Sequence, residues 1–205
     1  MALLPRLAVT DRDKASHASL PVFRRLLFLY LLLLAPGLAA AEKLHGMVIN
    51  VADGDTVTVL DSAHVRHKVR LSGIDAPEKR QAFGTRARQH LAAMVQGKDV
   101  IVVWNKRDRY GRIVGKVLTA QCASNTCPDA LDAGLAQLHA GLAWHYKQYQ
   151  RDQEAGDRER YSAAEHAARL KHEGLWQDAG PVPPWDYRRR TRTAAPLPNG
   201  RVLGS

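Results

Sequence analysis

Between residues 44 and 118 apolar side chains recur mainly at every second position. "GMVINVADGDTVTVLD" places Ile49 and Val51 before an Asp-Gly turn and Val57 and Val59 after it, the pattern of two strands joined tightly. "VRHKVRL" alternates strictly, with Val65, His67, Val69 and Leu71 on one face and Arg66, Lys68 and Arg70 on the other. Arg70 is therefore directed away from the apolar face. "DVIVVWN" and "RIVGKVL" add two further strands. The period changes in "GTRARQHLAAMVQGK", where Ala87, Leu91, Met94 and Val95 form one helical stripe that Gly97 is placed to end. Leu131, Leu135, Leu138 and Leu142 repeat at helical spacing, and a third helix is expected from about Asp152 to His172, with alanines and Tyr161 on its apolar side. Five short strands interrupted by one helix and followed by two predict an α+β fold, a five-stranded OB-fold β-barrel with about three packed α-helices.

The two ends follow other rules. "RRLLFLYLLLLAPGLAAAEK" runs from Arg24 and Arg25 through an apolar stretch, Leu26 to Ala35, to a Pro-Gly break and the small residues Ala39, Ala40 and Ala41. That order is a secretory signal peptide over residues 1–41 with a long charged leading region, and it implies a secreted or periplasmic protein. The apolar run is short for a bilayer span, and no cysteine follows it to carry a lipid. Residues 42–190 form the expected domain, in which Trp104, Trp144 and Trp176 fit packing positions and Trp185 and Tyr187 pack near its end. Residues 191–205 are basic and too poor in apolar surface to offset ordering entropy, so a disordered tail is expected there.

The 205 residues carry 30 Lys and Arg against 20 Asp and Glu, a formal net charge of +10. Removing residues 1–41 takes away five basic and two acidic residues, which leaves +7. A basic surface favours a polyanion, nucleic acid or an anionic membrane, over an acidic small molecule. The absence of a basic amphipathic helix argues against the membrane. Cys122 and Cys127 lie in "AQCASNTCPD"; in an exported chain with no adjacent histidine cluster they are expected to pair as a disulfide across a loop tip rather than to hold zinc. His64, His67 and His145 lack ligand spacing.

Three charged clusters bear on chemistry: "DGDT" (53–56), "RLSGIDAPE" (70–78) and "DRYGR" (108–112). Asp53 at the turn start is expected to cap its own backbone, and Asp108 to orient its turn or Arg109. Together the clusters supply what phosphodiester hydrolysis requires: neutralised phosphate charge, a deprotonated nucleophile and a stabilised five-coordinate transition state. If the barrel brings Asp55 and Asp75 together, they make an oxygen-donor site suited to a hard cation such as Ca²⁺. Glu78, held three residues beyond Asp75 by the Ala76-Pro77 turn, can orient a water as general base. Arg70 and Arg112 can fork onto phosphate oxygens.

In this order the three clusters resemble the staphylococcal nuclease (thermonuclease) family, and the likeness continues through "GLAW" (141–144), "Tyr-x-x-Ala-Glu-x-x-Ala-Arg" (161–169), "GLW" (174–176) and "PPWDYR" (183–188). The resemblance implies an OB-barrel, Ca²⁺-dependent phosphodiesterase acting on DNA and RNA and leaving 3′-phosphorylated products. By matching position it gives Asp55 and Asp75 the calcium, with the Ala76 carbonyl as a further ligand. Glu78 takes the base role, and Arg70 and Arg112 take the phosphate. Arg109, Tyr110, Tyr146 and Tyr149 fall on the nucleotide side. "KRQAFGT" is shorter than the flexible loop of the best-known member, and the cysteine loop is an addition to it. The expected protein is a monomeric nuclease with DNA or RNA as substrate and no lasting membrane association. The rival is a non-catalytic nucleic-acid- or protein-binding barrel, which would typically have lost acids or arginines that are all present here.

Overall fold

The computed structural model describes residues 41–119 and 130–194. The expected signal peptide, apart from Ala41, the Cys122–Cys127 pair and residues 195–205 lie outside the described residues. Strands β1 (Glu42–Val51), β2 (Thr56–Leu60), β3 (Arg66–Leu71), β5 (Asp99–Arg107) and β6 (Ile113–Thr119) close a barrel in the order β1-β2-β3-β6-β5. Only β3 and β6 run parallel in it; the other four pairings are antiparallel. The short strands β4 (Ile74–Asp75) and β7 (Trp144–His145) pair separately, with Asp75 opposite Trp144. The α+β barrel predicted from the periodicity is therefore the observed OB-type architecture.

Val48, Val57, Val59, Val69, Val102 and Val117 are fully buried in one continuous core. The phase of β1 departs from the expected alternation: Val48 and Val51 are buried, while Ile49 is only half-buried. A register irregularity between Val48 and Asn50 inserts a residue and turns the strand's inward face by one position. Helix α1 (Gly84–Val95) buries Ala87, Leu91 and Val95 as expected, and Gly97 follows it with a left-handed φ of 71°.

The leucine repeat gives a helix shorter than its pattern, α2 (Ala133–His139), with Leu131 and Leu142 outside it. Helix α3 spans Ala155–Leu170, inside the Asp152–His172 expectation. A fourth helix, α4 (Pro184–Ala194), continues past Arg190, where order was expected to end; Pro184 occupies its first position, where a missing N–H costs nothing. Short 3₁₀ turns cover Lys147–Asp152 and Gly174–Gln177. Trp144, Ala168, Leu175 and Trp176 form a second apolar cluster, against which Phe83 and Trp185 pack. Among the described residues no helix is long and apolar enough to cross a membrane.

Two buried acids join the helices to each other and to the barrel. Asp132 caps α2 by accepting from the Gly134 and Leu135 N–H groups at 3.0 and 3.1 Å, and the Tyr161 hydroxyl of α3 donates to both its oxygens at 2.9 Å. Burial raises the pKa of Asp132, and burial and the nearby Asp132 carboxylate push the Tyr161 hydroxyl far above the ordinary phenol value. Asp157 pairs with Lys116 of β6 and Arg160. Burial works against its charge, but those two cations outweigh it and hold its carboxyl below the ordinary 3.8.

Two predictions follow from these contacts. Tyr161→Phe deletes one donor to a buried carboxylate and should cost about 1–3 kcal/mol, read as a lower urea midpoint with an unchanged slope. A depressed folded pKa gives Asp157 stability that is fully present above pH 3.8 and is lost as pH falls below it. The stability gap between wild type and Asp157→Asn should accordingly be constant near neutrality and shrink below about pH 4.

Candidate active site

The sharp turn after β3 determines where the acids fall. Asp55 immediately precedes β2, and its carbonyl accepts from the Leu71 N–H at 2.8 Å, which ties it to the end of β3. Ser72 and Gly73 then reverse the chain into β4, whose pairing with β7 places Asp75 beneath Trp144. As a result Asp55 and Asp75, twenty residues apart, share one guanidinium. Arg70 Nη2 lies 2.8 Å from Asp75 Oδ1 and 3.4 Å from Asp55 Oδ2. The Ala76 N–H donates to Asp55 Oδ2 at 3.1 Å and the Thr56 hydroxyl to Asp55 Oδ1 at 2.8 Å, so the Asp55 carboxylate is oriented from three sides.

Packing holds the loop as tightly as hydrogen bonding does. A Cβ on Gly54 would lie 2.6 Å from Ala87 Cβ and 2.7 Å from Ala76 Cβ, so only glycine lets this loop lie against both α1 and the Asp75-Ala76 turn. Fully buried Gln137 of α2 donates to the Gly54 and Ala87 carbonyls at 2.6 and 2.9 Å and bridges loop to helix. Asp53 accepts from the Asp55 N–H at 3.1 Å, the capping role expected for it.

The site carries concentrated negative charge. Burial, with the charge of Asp55 added, pushes Asp53 up to about 6. Burial also raises Asp75, reinforced by Asp55, although Arg188 and Arg70 pull the other way. Arg70 is 15% exposed; burial opposes its charge, but Asp55 and Asp75 keep its pKa above the ordinary arginine value. Glu78 differs from the aspartates in access to water, with a side chain 38% exposed against 1% for Asp75.

Sequence reasoning missed the partner that joins Glu78 to Asp75. Arg188 of α4 donates from Nη1 to Glu78 Oε1 at 2.7 Å and forks onto Asp75, with Nη2 2.7 Å from Oδ2 and Nη1 3.2 Å from Oδ1. In "YRRRTR" composition does not separate Arg188 from the arginines after it; the signal was its place at the end of "PPWDYR", the last stretch that resembles the family, to which no role was attached. The run beginning at Arg188 is thus helical, with one arginine turned onto the acids.

The other expected site residues surround this cluster. Arg112 lies one residue before β6, and the register that sets Arg70 opposite Val114 puts Arg112 on the same face as Arg70 and diagonal to it. Its Nε donates to Asp108 Oδ2 at 2.7 Å, and the Tyr110 and Arg112 N–H groups donate to Asp108 Oδ1 at 2.9 and 3.0 Å, so Asp108 orients its turn, as expected, and Arg112 rather than Arg109. Tyr110 is exposed at the tip of that turn, between the guanidiniums of Arg109 at 4.9 Å and Arg112 at 5.6 Å. Tyr146 stacks on Trp185 at 5.5 Å, contacts Tyr149 at 5.0 Å and lies under the Arg70 guanidinium at 5.5 Å. Tyr146 and Tyr149 therefore form an aromatic edge adjoining the acids.

All donors here are hard oxygens, the set that suits Ca²⁺ or Mg²⁺ and not a soft metal. Among the described residues no three Asp, Glu, His or Cys side chains converge closely enough to cage a metal. A cation would rest on Asp55, Asp75 and a backbone carbonyl such as that of Ala76, with water completing its shell.

The family profile described as staphylococcal nuclease homologue matches residues 68–178. The chain belongs to the staphylococcal nuclease family. It is 40% identical over 147 residues to an uncharacterized endonuclease of Escherichia coli, covering 72% of this chain and 86% of that one. It is 44% identical over 153 residues to Protein ParB of Escherichia coli, covering 74% and 83%. A micrococcal nuclease of Shigella flexneri is 36% identical over 149 residues, covering 73% and 83%. The protein is a thermonuclease-like nuclease. The stretch matched by the profile contains Arg70, Asp75, Glu78 and Arg112, whereas Asp55 and Arg188, which contact Arg70 and Asp75, lie outside it.

Gly54→Ala forces two Cβ–Cβ contacts below 3 Å and should cost about 1–3 kcal/mol. It should lower both the melting temperature and the nuclease rate, since relief of the overlap shifts the loop that leads into Asp55, α1, or the Ala76 turn that bonds to Asp55.

Proposed function

We propose that this nuclease is an exported, Ca²⁺-dependent phosphodiesterase that cuts DNA and RNA with little sequence preference and leaves 3′-phosphorylated ends. The observation that carries the reading is the convergence of Asp55 and Asp75 on Arg70, with the water-accessible carboxylate of Glu78 beside them. The metal, when bound, supplies charge for a phosphate oxygen and for the entering water. Glu78 suits the base role because it is the acid of the group that solvent reaches; it accepts a proton from a water oriented towards phosphorus. Arg112, preorganised by Asp108, stabilises the charge that grows on the phosphoryl oxygens, while Arg70 keeps the two aspartates oriented and offers further positive charge. Arg109, Tyr110, Tyr146 and Tyr149 offer cationic and stacking contacts to a strand; stacking reads no base identity, consistent with weak sequence preference. The net charge of +7 after removal of residues 1–41 favours attraction of the polyanion. A signal peptide over residues 1–41 supports a secreted or periplasmic location, and a monomer suffices for this site.

Purified protein incubated with plasmid and with RNA should degrade both in Ca²⁺ and neither in chelator. Glu78→Gln should lower kcat about 100-fold or more. Arg112→Ala should lower kcat by about 100- to 1,000-fold with a smaller change in KM, the signature of a group acting on the transition state. Equal degradation by wild type and both variants overturns the assignment, and tight binding without cleavage in Ca²⁺ favours the non-catalytic barrel.

A further inference from the structure

Arg188 gives the acid site a second internal cation beside Arg70. Three N–H groups converge on Asp75, one from Arg70 and two from Arg188, whereas its two oxygens offer about four lone-pair positions. Arg188 also holds one oxygen of Glu78. Burial opposes the charge of Arg188, yet its hydrogen bonds to Asp75 and Glu78 hold its pKa above the ordinary arginine value. A divalent cation at Asp55 and Asp75 would find about one lone-pair position of Asp75 free while this guanidinium stays in place, and would lie beside a like charge.

The two arginines differ in what confines them. Arg70 belongs to a barrel strand and is 15% exposed. Arg188 is 37% exposed on a surface helix docked upstream of it, where Trp185 stacks on Tyr146 at 5.5 Å and meets Trp144 edge-on at 6.4 Å. Gln81 adds a second link, accepting from the Glu78 N–H at 3.1 Å and donating to the Val182 carbonyl just before α4. The helix can thus stay docked while the Arg188 side chain swings towards solvent.

We propose that Arg188 is a resident counter-ion of the active site that competes with the divalent cation for Asp75 and Glu78 and is displaced when the cation binds. The inference rests on the Ca²⁺ reading above. It explains how buried Asp75 stays oriented without metal, and it makes cation affinity a property of the C-terminal helix as well as of the barrel.

Calorimetric titration of Ca²⁺ into the purified protein tests it, beside Arg188→Ala, Arg188→Gln and Asp75→Asn. Both Arg188 variants should bind Ca²⁺ about tenfold more tightly, which corresponds to about 1.4 kcal/mol. They should also melt lower than wild type in chelator and gain more on Ca²⁺ addition, because the contact removed belongs to the metal-free form. Asp75→Asn should lose binding. Should the alanine variant fail to fold, the glutamine variant, uncharged but close in shape, carries the measurement. Ca²⁺ affinity in the folded Arg188 variants equal to or weaker than wild type overturns this inference and leaves the Ca²⁺ reading standing. Absence of Ca²⁺ binding by every protein overturns both.

Discussion

Burial of Asp55 and Asp75 against each other is the constraint on which the site depends. Two carboxylates taken out of water repel and lose solvation unless cations and hydrogen-bond donors replace it. The protein meets this with one guanidinium from a barrel strand, one from a surface helix, the Ala76 N–H and the Thr56 hydroxyl. Arg70 can serve because strict alternation in β3 sends Val69 and Leu71 into the core and Arg70 out on the opposite face. The same alternation that fills the barrel therefore charges its outer surface at one point.

Around that point the fold separates rigid parts from adjustable ones. Gly54, Gln137 and the β4–β7 pairing fix the aspartates to the barrel, α1, α2 and β7. Arg112 is set by Asp108 within its own turn, so its orientation depends little on distant contacts. Glu78 sits between these regimes, tied to Gln81 at its backbone and to Arg188 at its side chain while remaining open to water. The base role proposed for Glu78 needs that openness, because a base must exchange protons with solvent, and the metal-holding role proposed for the aspartates does not.

The aromatic residues connect the barrel to the C-terminal helix. Trp144 both pairs with Asp75 through its backbone and packs edge-on against Trp176 and Trp185 through its ring. Tyr146 stacks on Trp185 and also meets the Arg70 guanidinium. Packing of α4 is thereby transmitted to the acids in two ways, through rings and through Arg188. This is why a segment that looks like a terminal appendage is joined to the acid cluster.

Local sequence determined the elements whose side chains repeat with a clear period. The barrel strands, α1 and α3 were legible because burial of one face imposes a period of two or 3.6. Asp55, Asp75, Glu78 and Arg70 were legible as candidates because the clusters that hold them combine turn residues with charge. The phase of β1 was not, since a bulge arises from pairing with a neighbour and leaves little trace in one strand. The length of α2 was not, because its flanking leucines continue the helical spacing into segments held by other contacts: Leu131 through its carbonyl to Thr119 of β6, and Leu142 through its N–H to Gln137. The stretch "PPWDYR" that ends on Arg188 was legible, but the contact Arg188 makes was not, for a deeper reason. One arginine in a basic run acquires its role only when a tryptophan three residues earlier docks, and docking energy is a property of surfaces that meet only in three dimensions.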